Sequence, residues 1–206
     1  MTELLSSLQQ DALCEIINIG VGRAAMMMSE FTGTEIALSV PSIHLHPQSQ
    51  IGRSSVGRWP RVGAVTQYFD GVLKGEALFL FPDNDGEELA RIMAGNLLAV
   101  SGGELLARDA LQEMGSILLN GCLSTFADLL GGEIQPSLPV FQSGSTRDVL
   151  SPADDSAHAA AIFVHIEFMV ESERIEGSFC FLIKVPSAER LAEAVDQFIV
   201  SPPASA

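Results

Sequence analysis

The chain has 206 residues, 47% of them hydrophobic, enough to bury one large core or two small intertwined halves. Eleven Lys and Arg against 26 Asp and Glu leave a formal charge of −15, a surface that repels phosphate backbones and anionic lipid. This balance argues against a nucleic-acid or membrane-surface partner, and any phosphorylated substrate must bring its own cation or basic group.

The opening, MTELLSSLQQDALCEI, is acidic and amphipathic rather than basic and then apolar, unlike a signal peptide. The longest nearly apolar run, Ala159 to Val170, is interrupted by His165 and Glu167 and is too short for a bilayer. Cys14, Cys122 and Cys180 are widely spaced among apolar neighbours and match no zinc or CxxC pattern, as expected of free thiols in a reducing compartment. The expected location is the cytoplasm.

In chain order, the pattern predicts a helix from about Leu4 to Phe31, a strand from Thr34 to Leu45, and a polar, mobile loop over Pro47–Arg61. A hairpin of Val62–Tyr68 with Gly75–Phe81 follows, turning at Asp70-Gly71, and then a helix near Gly86–Met93. The same order then recurs. A helix is predicted from Gly103 to Leu130, a strand from Glu133 to Phe141, and a polar, mobile loop over Ser143–Ala157. A hairpin of Ala159–Val170 with Gly177–Val185, turning near Glu173-Arg174, and a helix over Ser187–Val195 complete it. Ser201 to Ala206 reads as a disordered tail.

The recurrence extends to residues. Asp11-Ala-Leu-Cys-Glu15-Ile-Ile-Asn18 returns as Asp109-Ala-Leu-Gln-Glu113-Met-Gly-Ser116, an offset of 98, and Pro41 and Pro139 each lie 23 positions after Asn18 and Ser116. Farther on the offset drifts to 102, where Gly75 matches Gly177, as loop insertions would cause. Two copies are too few for a solenoid, so the expectation is one α+β domain over 1–206, built from pseudo-repeats of about 1–100 and 101–200. Strands joined by short turns predict an antiparallel β-sheet, with two long pseudo-symmetric helices packed on it and shorter flanking helices.

On a helix, Asp11, Glu15 and Asn18 share one face, and Glu15 and Asn18 are about 4.5 Å apart along the axis. Such a stripe is either a docking edge or simply the wet face of an amphipathic helix, and its recurrence favours the first. The pattern Asp/Ser-x3-Glu-x2-Asn-x22-Pro, with Asp in this chain, resembles the signature of the CheC/CheX/FliY phosphatase family of bacterial chemotaxis. The first copy matches through Asp11, Glu15, Asn18 and Pro41; the second matches at Asp109, Glu113 and Pro139 but carries Ser116 in place of Asn.

The resemblance implies a CheC-like fold and a phosphatase acting on the aspartyl-phosphate of a CheY-type response regulator. It implies that Glu15 anchors the regulator and Asn18 orients the attacking water, with Asp11 and Pro41 supporting the motif. Asp109, Glu113, Ser116 and Pro139 would form a degenerate second site. No metal or cofactor of its own is implied; Mg²⁺ would come with the phosphorylated regulator. CheD is implied as a further partner, and a non-catalytic interaction protein binding CheD or a flagellar switch component is the alternative.

Other signals are weaker. Gly20-Val-Gly22-Arg-Ala-Ala25 has the GxGxxA form but lacks a preceding strand, so small-residue helix packing is expected. His44 and His46 alternate on a strand without a third ligand at metal spacing, and His158 and His165 read as isolated structural residues. Met26, Met27 and Met28 read as core filler or a soft contact surface, with the core favoured. Arg53, Arg58 and Arg61 surround Trp59 in a loop that could steer an acidic partner.

Overall fold

The computed structural model describes residues 5–39, 42–47, 59–94, 104–150, 158–170 and 173–200. Pro41, Arg53, Arg58 and the tail 201–206 lie outside the described residues.

Helix α1 (Ser7–Thr32) starts on a capping box. The Ser6 hydroxyl accepts from the Gln9 N–H, while the Gln9 carboxamide accepts from the Ser6 N–H at 2.8 Å. Two of the orphan donors at the helix start are thereby satisfied. The same Gln9 side chain donates to Asp196 at 2.8 Å, fixing the start of α1 to the last helix. At its other end Gly33, with φ 68°, caps α1 in the left-handed conformation that costs glycine nothing. By length and hydropathy α1 could span a bilayer. Its apolar content is nevertheless used in the core, where Leu13, Ile16, Ile17, Val21, Ala24 and Met28 are buried.

Strands β1 (Ile36–Leu38), β2 (Ser42–Pro47), β3 (Arg61–Gly71) and β4 (Gly75–Pro82) lead to helix α2 (Gly86–Ala94). Helix α3 (Glu104–Leu130) opens a second series with β5 (Ile134–Pro136), β6 (Val140–Ser145), the short α4 (Thr146–Val149), β7 (His158–Val170), β8 (Glu173–Lys184) and α5 (Val185–Val200). The fold is α+β with an internally duplicated element order.

The sheet runs β1-β7-β8-β4-β3-β5, with β2 also on β7 and β6 also on β3, and every pairing is antiparallel. Each copy's opening strands therefore join the hairpin of the other copy. At the centre, β4 meets β8 with Leu78 opposite Cys180, two positions related by the 102-residue offset. The local two-fold axis of the duplication passes there.

Alternation along the strands separates two apolar layers. Phe79, Phe81, Phe179, Phe181, Val164 and Ile166 face α1, α2 and α3 in the main core. On the opposite face Val62, Ala64, Leu78, Leu80, Cys180 and Leu182 pack under Trp59, Val149 and Leu150. β4 is buried on both faces, which is why it reads as a continuous apolar run rather than an alternating one.

Several boundaries depart from expectation. The strand expected over Thr34–Leu45 is two strands, β1 and β2, both on β7. That over Glu133–Phe141 is split as well, into β5 and β6. Between β5 and β6, Ser137 accepts from the Tyr68 N–H through its hydroxyl and donates its own N–H to the Tyr68 carbonyl, while Pro139 has no N–H to pair.

Glu173 and Arg174, expected in a turn, are paired within β8 opposite Val170 and Met169. Ser143–Leu150, expected in a mobile loop, holds the end of β6 and then α4. There Ser145 caps the helix and the Thr146 hydroxyl donates to the Trp59 carbonyl. Met28 is buried, whereas Met26 and Met27 are 60% and 38% exposed, so only one of the three methionines fills the core.

Candidate active site

Asp11, Glu15 and Asn18 are all exposed, on a helix whose intervening Ala12, Leu13, Ile16 and Ile17 are buried. Steps of three and four residues continue the exposed stripe from Glu15 through Asn18 and Gly22 to Met26. A Cβ on Gly22 would meet nothing within 4 Å, so the surface one turn beyond Asn18 stays low and open. Gly22 thus takes no part in helix packing, in contrast to Gly20.

Beside Asn18, Ile19 is 46% exposed and lines a groove of about 490 Å³ with Ile16, Arg23, Thr125, Asp128 and Phe198. An Arg23–Asp128 ion pair at 2.7 Å bridges α1 and α3 at this groove. The acids of the stripe are felt locally. Burial pushes the Cys14 thiol up, and the charges of Glu15 and Asp11 push it the same way. The thiolate form of Cys14 is therefore disfavoured.

On α3, Asp109 and Glu113 are exposed and Ser116 is half-buried. Asn120, one turn farther on, donates from Nδ2 to the Ser116 hydroxyl at 3.2 Å, and its Oδ1 is buried without a partner. This carboxamide was not anticipated; searching α3 at helical spacing beyond Ser116 would have found it.

Gln112 donates to the Pro139 carbonyl at 2.7 Å, which holds the segment between β5 and β6 against α3. Arg108 reinforces this through the Phe141 carbonyl at 3.1 Å, with its guanidinium 6.0 Å from the Phe141 ring centroid. The structure thus gathers Asp109, Glu113, Ser116 and Pro139 at one place, flanked by exposed Leu138 and Val140. In the first copy it places Asp11, Glu15 and Asn18 together, while Pro41 lies outside the described residues.

Among the described residues, neither motif helix bears three metal-ligating side chains within reach of one another. Arg61, one of the three arginines considered for steering, is paired with Asp83 at 3.0 Å.

An antiparallel sheet with swapped opening strands, two crossed long helices and an acid–acid–amide stripe on one of them define a duplicated α+β protein with an exposed polar face on its first helix. The chain is similar in sequence to CheC-like proteins and in fold to FliY and CheX. The profile of the CheC-like family matches residues 8–45, the stretch that holds Asp11, Glu15, Asn18 and Pro41. Over 195 residues the chain is 25% identical to the CheY-P phosphatase CheC of Bacillus subtilis, covering 91% of this chain and 93% of that protein. The crystal structure of Thermotoga maritima FliY superposes with a TM-score of 0.72 at 18% identity, over 95% of this chain and 99% of that one. A CheX in complex with CheY, BeF3 and Mg²⁺ from Borrelia burgdorferi superposes with a TM-score of 0.52 at 12% identity, over 82% of this chain and 99% of the matched one.

Proposed function

We propose that this protein hydrolyses the aspartyl-phosphate of a CheY-type response regulator in the cytoplasm, using the α1 face. The observation that carries this reading is the joint exposure of Glu15 and Asn18, three residues apart on a helix anchored at both ends. The relative named as a CheY-P phosphatase and the CheX–CheY complex support the same partner.

An acyl phosphate is already activated, so hydrolysis needs a water held in line with phosphorus and stabilisation of the equatorial oxygens. The Asn18 carboxamide oxygen can accept a hydrogen bond from that water and orient it without acting as a base. Glu15, one turn away on the same face, supplies a carboxylate for a cationic side chain of the regulator. Mg²⁺ bound by the regulator would neutralise the phosphoryl oxygens.

The α3 face is the weaker site. Ser116 is shorter than asparagine, and its hydroxyl is already engaged by Asn120. Docking through Glu113 survives there while water positioning does not. CheD is a further partner in this reading. The experiment is to follow loss of label from a phosphorylated CheY-type regulator with Mg²⁺, with and without the purified protein. Acceleration supports the enzyme, and binding without acceleration replaces it with a non-catalytic interaction protein.

A further inference from the structure

The sheet face turned away from α1 and α3 holds a second polar cluster. Val164 and Ile166 of β7 point into the main core, so His165 and Glu167 point outward, and the His165 ring lies 6.4 Å from that of Trp59. The β7–β8 register sets His165 opposite Ser178 and Glu167 opposite Glu176, so the four side chains occupy the corners of one square on the sheet. His165, read from sequence as isolated, is therefore flanked by two carboxylates.

The ligand atoms of His165, Glu167 and Glu176 all lie within 4.8 Å of one another, and all three residues are half-buried. A tetrahedral ion with contacts of ~2.1 Å needs its ligands roughly 3.4 Å apart, a difference that side-chain rotation covers. The Ser178 hydroxyl is 3.2 Å from His165 Nδ1, the kind of outer hydrogen bond that orients a ligating imidazole. Glu167 is fixed through its backbone, its N–H donating to the Ser39 hydroxyl at 3.0 Å and its carbonyl accepting from the Ser39 N–H at 2.9 Å.

Two carboxylates directly opposite on neighbouring strands repel one another, and a cation between them reverses that interaction.

We propose that His165, Glu167 and Glu176 bind one first-row divalent transition-metal ion, of which Zn²⁺ is the representative. An imidazole with two carboxylates suits such borderline ions better than Mg²⁺ or Ca²⁺, which prefer all-oxygen shells. The site lies on the opposite side of the sheet from the α1 face and does not depend on the phosphatase reading. Its effect on the fold is to clamp β7 to β8 where β1 and β2 join the sheet.

The test is titration of the chelator-treated full-length protein with Zn²⁺ by calorimetry and with Co²⁺ by visible absorption. Wild type takes up one saturable equivalent with a rise in Tm, and His165→Ala and Glu176→Gln each weaken binding by at least about tenfold. Glu176→Gln is nearly isosteric, and a cooperative metal-free melt shows that it keeps the fold. Should His165→Ala not fold, Glu176→Gln alone decides the matter. No saturable uptake by wild type, or uptake unchanged in Glu176→Gln, overturns the site.

Discussion

Gly20 of α1 and Gly121 of α3 meet where the two long helices cross. A Cβ on Gly20 would come to 2.9 Å from Cys122 Cα, and one on Gly121 to 2.8 Å from the Ala24 Cβ. This close approach sets how α1 sits on α3 and so how Asn18 is presented. Gly20→Ala should lower stability by about 1 kcal/mol, because forcing the crossing apart outweighs the gain in helix propensity. Gly22→Ala, two residues on but facing open space, should instead raise it by up to about 1 kcal/mol. Paired urea melts check the opposite signs.

Cys14 reports the charge of the candidate face. Its thiol is pushed up by burial and then by Glu15 and Asp11, while burial alone pushes Cys122 to about 12. Replacing Glu15 by Gln removes one of the charges that disfavour the thiolate, so the Cys14 pKa falls and its alkylation near pH 8 quickens. Cys122 and Cys180 should stay unreactive until denaturant is added. Mass-spectrometric labelling rates distinguish the three.

Asp85 is held above the ordinary carboxyl value, so between the unfolded and folded pKa the native state binds more protons than the unfolded one. Its contribution therefore favours folding below that window and opposes it above. Asp85→Asn should raise stability at pH 7 and lose this advantage as the pH falls to about 4. Thermal melts of both proteins across that range test the sign.

At the second motif, Ser116→Asn tests whether a missing carboxamide is what disables α3. The Asn120 side chain that now donates to Ser116 must turn aside. In an Asn18→Ala background the substitution should return part of the lost phosphatase activity. No recovery, with the fold intact by circular dichroism, would assign the weakness of the α3 site to something other than residue 116.

The parts legible in the sequence were those in which local spacing carries the information. Asp11, Glu15 and Asn18 fall on one exposed face because helical period alone places them there. The hairpins were legible from their apolar runs. What escaped depends on contacts distant in the chain. The Trp59 carbonyl that helps hold α4 lies 87 residues from Thr146. Glu167 and Glu176 become neighbours only through the β7–β8 register. Gln112 reaches Pro139 across 27 residues, a contact that holds the motif proline against α3. Met26 and Met27 escaped for a different reason: a run of three methionines has no period, and only the helix phase decides which of them is buried.

The central claim rests on Asn18, and the most direct measurement compares Asn18→Ala with Ser116→Ala in dephosphorylation of a CheY-type regulator at saturating Mg²⁺. Asn18→Ala should lower kcat by roughly 100-fold, as loss of a positioned water does, while Ser116→Ala leaves it within about twofold. Equal losses from the two substitutions, or full activity in Asn18→Ala, would contradict the account.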